Sequence, residues 1–238
     1  MSACCPPESE PARPTSPFVG DIKQFGQTSL YVAGSATAKE DADRLGQEGY
    51  VVVIVDVTKG DYFKEDDDIK VLIGEWLIRT DYSTVLKPSI DDAIAYLKQE
   101  AQVDHILSYG YCYGAWIGAR LSTDSPPRIE GHVSFHPSWL TENSTNGGPG
   151  TMEKMTEAIK VPQLLLSGSN DPAQFHPGNS VEKILKANPT IGVLSQVVDY
   201  EYVKHGWVNR GDLSDEKVKA AADDAWSRAR AFFASVLA

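Results

Sequence analysis

Segments typical of buried strands alternate along this chain with segments whose apolar residues recur at helical spacing. Ser29–Ala33 is a short apolar run, and Tyr50–Val57 is a β-branched run that is apolar on both faces, so the second is expected to be a central parallel strand. Between them, the capping-box sequence Thr37–Glu40 opens a predicted helix that ends near Gly49.

The alternation continues to the end of the chain. Further strands are predicted over residues 105–110, 131–135, 161–167 and 194–203, and helices over 66–81, from Ser89, after Cys112, over 178–187 and from Ser214. Such alternation predicts a mostly parallel sheet with helices on both faces. Ligands of such sheets bind beyond the carboxyl ends of the strands, so functional residues are sought there.

Residues 1–18 contain five prolines and almost no apolar periodicity. This composition predicts a flexible N-terminal arm. The remaining residues, 19–238, are expected to form a single α/β domain, since 238 residues suit one large domain.

Composition and charge narrow the classes of partner. The formal net charge is -11, and a surface this acidic repels nucleic acid and anionic membranes. Three cysteines without a C-x-x-C pair favour neither a zinc site nor a disulfide scaffold, and we expect no metal and no cofactor. No signal peptide opens the chain and no apolar run approaches the ~18 residues needed to span a bilayer; these features predict a cytoplasmic protein.

Candidate chemistry centres on Cys112, in the run Gly110–Gly114 between a predicted strand and a predicted helix. The pattern G-x-C-x-G in that context is typical of a nucleophile on a tight strand-to-helix turn. Both glycines are expected to be needed because a side chain there would clash with the strand and helix. The helix N-terminus favours a thiolate, and the N–H of Tyr113 would bind an oxyanion. The alternative is that Cys112 is an inert buried thiol.

A cysteine hydrolase also needs a base and a carboxylate that orients it. Asp171 follows the strand 161–167 and His205 follows the strand 194–203, so both lie at the predicted active end in the order nucleophile, acid, histidine. Taken alone, Asp171 also suits an Asx turn before Pro172, and His205 an ordinary surface histidine. His136 follows another strand and is interpreted as a pocket-wall residue rather than the base.

These residues resemble the dienelactone hydrolase family. The resemblance rests on Gly110–Gly114, His136–Ser138, Asn170–Asp171 and the string His205–Asp212, it covers the chain from about residue 45 to the end, and the Cys-rich N-terminus is similar to eukaryotic, fungal-type members. It implies an α/β-hydrolase fold, a Cys-His-Asp triad of Cys112, His205 and Asp171, and hydrolysis of an ester or lactone through a thioester.

The chain departs from the family pattern before its first helix. Members carry an acidic loop there, which supplies a second oxyanion N–H and an acidic group near the thiol, whereas here Ser29–Ala33 runs through Gly34-Ser35-Ala36 into the helix. The N-terminal strand and loop region is therefore expected to be shortened. Either the turn at Gly34-Ser35 supplies a substitute N–H, or the hydrolase is weakened, or the chain is a shortened form of an active one.

Aromatic residues close to these motifs suggest a flat, partly apolar substrate pocket. Its predicted substrate-binding residues are Tyr111, His136, Trp139, Trp207 and Arg210. Arg210 is a candidate clamp for a substrate carboxylate, although the family's basic residue aligns by offset with Asn209, and an Arg210–Asp212 surface pair is an equal alternative.

The sequence thus predicts a hydrolase that acts on a small-molecule ester or lactone, as a monomer or homodimer without nucleic acid or membrane partners. The alternative function is a non-catalytic or weakened member of the fold that acts as a small-molecule binding or interaction module, which the absent acidic loop motivates.

Overall fold

The computed structural model describes residues 21–32, 38–61 and 69–238. The predicted N-terminal arm and the turn at Gly34-Ser35 lie outside these residues. The described chain divides into two compact units, one formed before residue 105 and one spanning residues 105–238. Each unit is built around its own sheet.

The first unit holds a three-stranded antiparallel sheet. It contains β1 (Asp21–Phe25), β2 (Thr28–Val32), α1 (Ala38–Gln47), β3 (Val53–Val55), α2 (Ile69–Arg79), a π-helical turn (Tyr82–Leu86) and α3 (Lys87–Gln99). Helix α3 covers the β1–β2 hairpin, because its Ala93 and Tyr96 pack on Leu30 and its Asp92 accepts a 2.6 Å hydrogen bond from the Thr28 hydroxyl.

Two expectations for this unit are wrong. The run 50–57 does not form a parallel strand among the described residues, because β3 pairs antiparallel with β2 and its residues are only half-buried. A β-branched apolar run does not itself encode strand direction. The predicted helix start at Ser89 is also wrong, because Ser89 lies buried inside α3, which starts two residues earlier at Lys87 with Pro88 in its first turn.

The second unit holds a four-stranded parallel sheet flanked by helices. Its elements are β4 (Ser108–Tyr111), α4 (Tyr113–Leu121), β5 (His132–Phe135), α5 (Thr141–Thr145), α6 (Thr151–Ala158), β6 (Gln163–Gly168), a 3-10 turn (Ala173–Phe175), α7 (Ser180–Ala187), β7 (Gln196–Tyr200), α8 (Trp207–Arg210) and α9 (Glu216–Leu237). The strands run in the order β4-β5-β6-β7, all parallel, as the alternation predicts. This arrangement is an α/β-hydrolase fold.

The core of this unit lies around its two middle strands. Every residue of β5 and β6 is buried, as expected for strands covered on both faces. Helix α9 adds Trp226, whose ring packs 4.9 Å from that of Phe135. The helix begins at Glu216, two residues later than the predicted start at Ser214, and Asp215 is its N-cap. Among the residues that the structure describes, no helix is long and apolar enough to cross a membrane.

Candidate active site

Cys112 occupies the turn between β4 and α4 in a backbone conformation that L-residues rarely adopt, with φ 52° and ψ -113°. The turn is tied to the neighbouring strand, since the Cys112 N–H donates to the Phe135 carbonyl at 3.1 Å. Gly110 is required, because a Cβ there would clash with the backbone of Gly114. The same expectation for Gly114 is wrong: a Cβ there meets nothing within 4 Å among the described residues.

The turn places the thiol at the N-terminus of α4. Cys112 is the N-cap of that helix and is half-buried. Tyr113 is the first helical residue, so its N–H belongs to the first-turn group that has no acceptor within the helix. The aligned peptide dipoles of α4 favour negative charge at this end, both on a thiolate and on an oxyanion.

A second strained turn lies beside the first, at the end of β5. His136 has φ 39°, and its N–H donates to the Leu166 carbonyl at 2.8 Å. Two residues later, the Ser138 N–H donates to the Cys112 carbonyl at 3.3 Å. The Ser138 hydroxyl lies 3.3 Å from Cys112 Sγ, so the two turns are joined through both backbone and side chain.

Asp171 and His205 form a fully buried pair. His205 Nδ1 lies 2.6 Å from Asp171 Oδ1, and neither side chain is exposed. The other carboxylate oxygen accepts the Gly168 N–H at 2.7 Å, while the His205 N–H donates to Asn170 Oδ1 at 2.6 Å. Asp171 is therefore held by a backbone N–H and His205 by the Asn170 side chain, in addition to their contact with each other. The complete burial of the His205 side chain excludes the alternative of a surface histidine.

The sheet brings these loops to one edge. Cys112, His136 and Asp171 follow β4, β5 and β6, and His205 follows β7, all at carboxyl ends. The rings of His136 and His205 lie 4.8 Å apart at 65°. Ser138 of the His136 loop contacts Cys112, and His205 contacts Asp171, so the four loops converge on one site.

His136 is a completely buried side chain in this site, and its ring nitrogens make no hydrogen bond to any residue that the structure describes. Burial lowers the pKa of His136 well below its ordinary value, and the nearby His205 and Arg210 charges lower it further, against the opposing effect of Cys112. The Asn209 side chain is close enough to favour the charged ring, but Asn209 Oδ1 and both ring nitrogens lack a hydrogen bond of acceptable length and angle. Within the described part of the chain no carboxylate bonds to this ring, in contrast to His205.

The predicted substrate-binding residues occupy two environments. The ring of Tyr111 stacks on that of His136 at 5.8 Å, and Trp207 packs edge-on to it at 5.5 Å. Trp139 is instead a core side chain whose indole N–H donates to the Ala115 carbonyl and the Ser134 hydroxyl, both at 3.1 Å. Tyr111, His136 and Trp207 thus lie together in the site. Trp139 lies in the core instead, and its N–H is already bonded to acceptors of the protein.

Arg210 lies against the backbone next to His205. A Cβ at Gly206 would come within 2.6 Å of Arg210 Nη2, so the guanidinium packs directly on that glycine, which has φ 97°. Nη2 is buried and has no hydrogen-bond partner among the described residues, and the same holds for the indole Nε1 of Trp207.

His176, which is not among the predicted site residues, contacts the loop that carries Asp171. Its Nε2 lies 2.8 Å from the Asp171 carbonyl oxygen and its Nδ1 lies 2.8 Å from Asp199 Oδ1. Burial opposes the charged ring, but the hydrogen bonds to Asp171 and Asp199 outweigh it and raise the pKa of His176. Together with Tyr200 and Glu201, His176 lines a cavity of about 210 Å³ beside the ends of β6 and β7.

Sequence reasoning assigned no role to Ser138, Asn170 or His176. Ser138 and Asn170 stand within the motifs His136–Ser138 and Asn170–Asp171, so proximity to a candidate residue was a usable signal. His176 follows Asp171 by five positions, and only its two acceptors in the folded chain distinguish it.

The chain is similar to a family model, to two known proteins and to a solved structure. The sequence model of the dienelactone hydrolase family matches residues 31–237. An uncharacterised AIM2 family protein of Schizosaccharomyces pombe is 23% identical over the full length of both chains. An Aquifex aeolicus protein provisionally named carboxymethylenebutenolidase is 25% identical over 84% of this chain and 80% of its own. A Klebsiella pneumoniae structure provisionally named dienelactone hydrolase superposes with a TM-score of 0.69 at 18% identity, covering 92% of this chain and 99% of the other, which supports the fold.

Proposed function

Because the chain belongs to the dienelactone hydrolase family, we propose that it hydrolyses a small-molecule ester or lactone with Cys112 as nucleophile, His205 as base and Asp171 as the residue that orients the base. The observation that carries this proposal is the fully buried 2.6 Å contact between His205 and Asp171. That pair lies at the same edge of the sheet as a cysteine on a strained strand-to-helix turn.

The first half of the proposed reaction forms a thioester. His205 accepts the proton of the Cys112 thiol, and the sulfur attacks the substrate carbonyl carbon. The negative charge that develops on the carbonyl oxygen is stabilised by the Tyr113 N–H and the α4 N-terminus. The C–O bond to the leaving alcohol then breaks, and His205 donates its proton to that oxygen.

The second half releases the acid. A water molecule attacks the thioester carbon while His205 accepts its proton. The C–S bond breaks, the carboxylic acid leaves, and Cys112 and His205 return to their starting protonation. Since Nδ1 of His205 is held by Asp171, Nε2 is the ring atom proposed to carry the proton in both halves.

Arg210, Trp207, Tyr111 and His136 are proposed to bind the substrate. A buried donor without a partner is costly, and Arg210 Nη2 and Trp207 Nε1 are two such donors close to His205. A carboxylate or carbonyl oxygen on the substrate would satisfy them. The stacked rings of Tyr111 and His136 suit a flat, unsaturated substrate body.

The test uses p-nitrophenyl acetate, with release of p-nitrophenol and the intact protein mass as readouts. The wild-type protein is expected to turn over and to carry an acetyl group on Cys112 when quenched early. Cys112→Ala is expected to do neither, whereas a Cys4→Ala/Cys5→Ala control keeps both. Full turnover by Cys112→Ala would refute the assignment, and rapid iodoacetamide labelling of Cys112 without any turnover would favour a binding module.

A further inference from the structure

Ser138 is the side chain whose hydroxyl lies against the candidate nucleophile. Its Oγ is 3.3 Å from Cys112 Sγ, and its N–H donates to the Cys112 carbonyl at 3.3 Å. The residue is only 2% exposed. Two contacts to the same residue, one from the backbone and one from the side chain, fix where the hydroxyl sits relative to sulfur.

This placement depends on strain in both turns. Cys112 and His136 each have a positive φ, 52° and 39°, although neither is glycine. Such conformations persist only where the surroundings over-determine them, and they cluster at functional sites. The turn at His136 is what directs the chain from the end of β5 back to Cys112, so this strained backbone brings Ser138 to the sulfur.

We propose that Ser138 is a further catalytic residue, whose hydroxyl donates a hydrogen bond to the Cys112 thiolate and holds the sulfur in position to attack. This inference rests on the proposed function of Cys112. In the thiol form either atom can be the donor, but a thiolate can only accept, so ionisation commits the Ser138 proton to the sulfur. Hydrogen bonds to a charged acceptor are stronger than neutral ones, which favours the thiolate.

Ser138 and Cys112 belong to the same compact unit. The hydroxyl therefore reaches the sulfur from the parallel sheet itself, through the strand next to β4.

The experiment measures iodoacetamide alkylation of Cys112 by mass spectrometry between pH 5 and 10. Ser138→Thr and Ser138→Val form a matched pair, since the two side chains share a shape and differ in the hydroxyl. Ser138→Ala tests loss of the group alone, and the exposed Ser235→Ala controls for the substitution itself. Thermal unfolding is recorded for each variant, so that only folded proteins are compared.

The valine and alanine variants are expected to need a pH about one unit higher for half-maximal alkylation, a change of roughly tenfold in the thiolate equilibrium. The threonine variant is expected to stay near wild type. Identical profiles for the threonine and valine variants, both folded, would overturn the inference. Because alkylation needs no turnover, a protein that shows the shift but cleaves no ester would refute the proposed function and leave the thiolate contact established.

Discussion

His205 Nδ1 and Asp171 Oδ1 lie 2.6 Å apart, and both side chains are completely buried. The carboxylate accepts a second hydrogen bond, from the Gly168 N–H. The pair is thus fixed in place by β6 itself, and the ring of His205 cannot rotate without breaking it. A fixed tautomer is what a base in this position needs.

Asp171→Asn is expected to lower kcat by about 10⁴-fold while the far-UV circular dichroism stays unchanged. The amide oxygen can keep the Gly168 N–H bond, and the NH₂ group then faces His205 Nδ1 and forces the proton onto Nε2. In that tautomer the ring cannot accept the thiol proton. Steady-state kinetics on p-nitrophenyl acetate measure the effect, and wild-type kcat in a folded variant would contradict it.

The two glycines of the turn that carries Cys112 are expected to respond differently to the same substitution. Gly110→Ala places a Cβ against the Gly114 backbone, so it should destabilise the fold by at least the ~1–3 kcal/mol typical of overpacking. Gly114→Ala meets no described residue within 4 Å and should stabilise α4 by up to about 1 kcal/mol. Thermal unfolding of the two variants measures the difference. Equal melting temperatures would contradict the prediction that only Gly110 is needed for a tight turn.

His176 is expected to stabilise the fold in a pH-dependent way. Its pKa is raised in the folded state, so the stabilisation is fully present below the unfolded value near 6.5 and is lost as the pH rises through the folded value. The difference in unfolding free energy between wild type and His176→Gln should therefore be largest in mild acid.

His105→Gln is the matched control for that measurement, because His105 pairs with Glu130 where both side chains are exposed, and such a pair contributes little. Urea unfolding at several pH values gives the comparison. If the His176→Gln difference grows as the pH rises, the sign of the linkage is wrong.

His132 is expected to act in the opposite direction. It is fully buried, with Nδ1 2.8 Å from the Ser108 hydroxyl and Nε2 3.2 Å from the Ala115 carbonyl, and burial lowers its pKa to about 4. Between pH 6.5 and 4 the unfolded chain binds a proton that the folded chain does not, so stability should fall by roughly 3 kcal/mol as the pH drops.

His132→Gln removes this titration, so its unfolding free energy should decline less than that of wild type over the same range. Denaturant unfolding at pH 7, 5.5 and 4.5 measures both slopes. Parallel slopes for the two proteins would mean that the buried ring does not remain neutral in the folded state.

Local pattern was sufficient for much of residues 105–238. The strands β4 to β7 and the helices α4, α7 and α9 lie where apolar spacing and breakers predict them, because burial on a sheet or a helix face imposes its period on the sequence itself. The short helices α5 and α6 and the strand β1 were not predicted. They are five, eight and five residues long, and α5 contains no apolar side chain, so it has no apolar period to detect.

What the sequence by itself determined is the order of strands and helices and the positions of Cys112, Asp171 and His205 at strand ends. What only the tertiary structure decided is contact: that His205 and not His136 meets the carboxylate, that Ser138 reaches the sulfur, and that β3 runs antiparallel to its neighbour. These contacts join residues 26 and 34 positions apart in the site, and strand pairing is equally non-local. They depend on how strands pair and how strained turns aim side chains, and no local spacing along the chain encodes that.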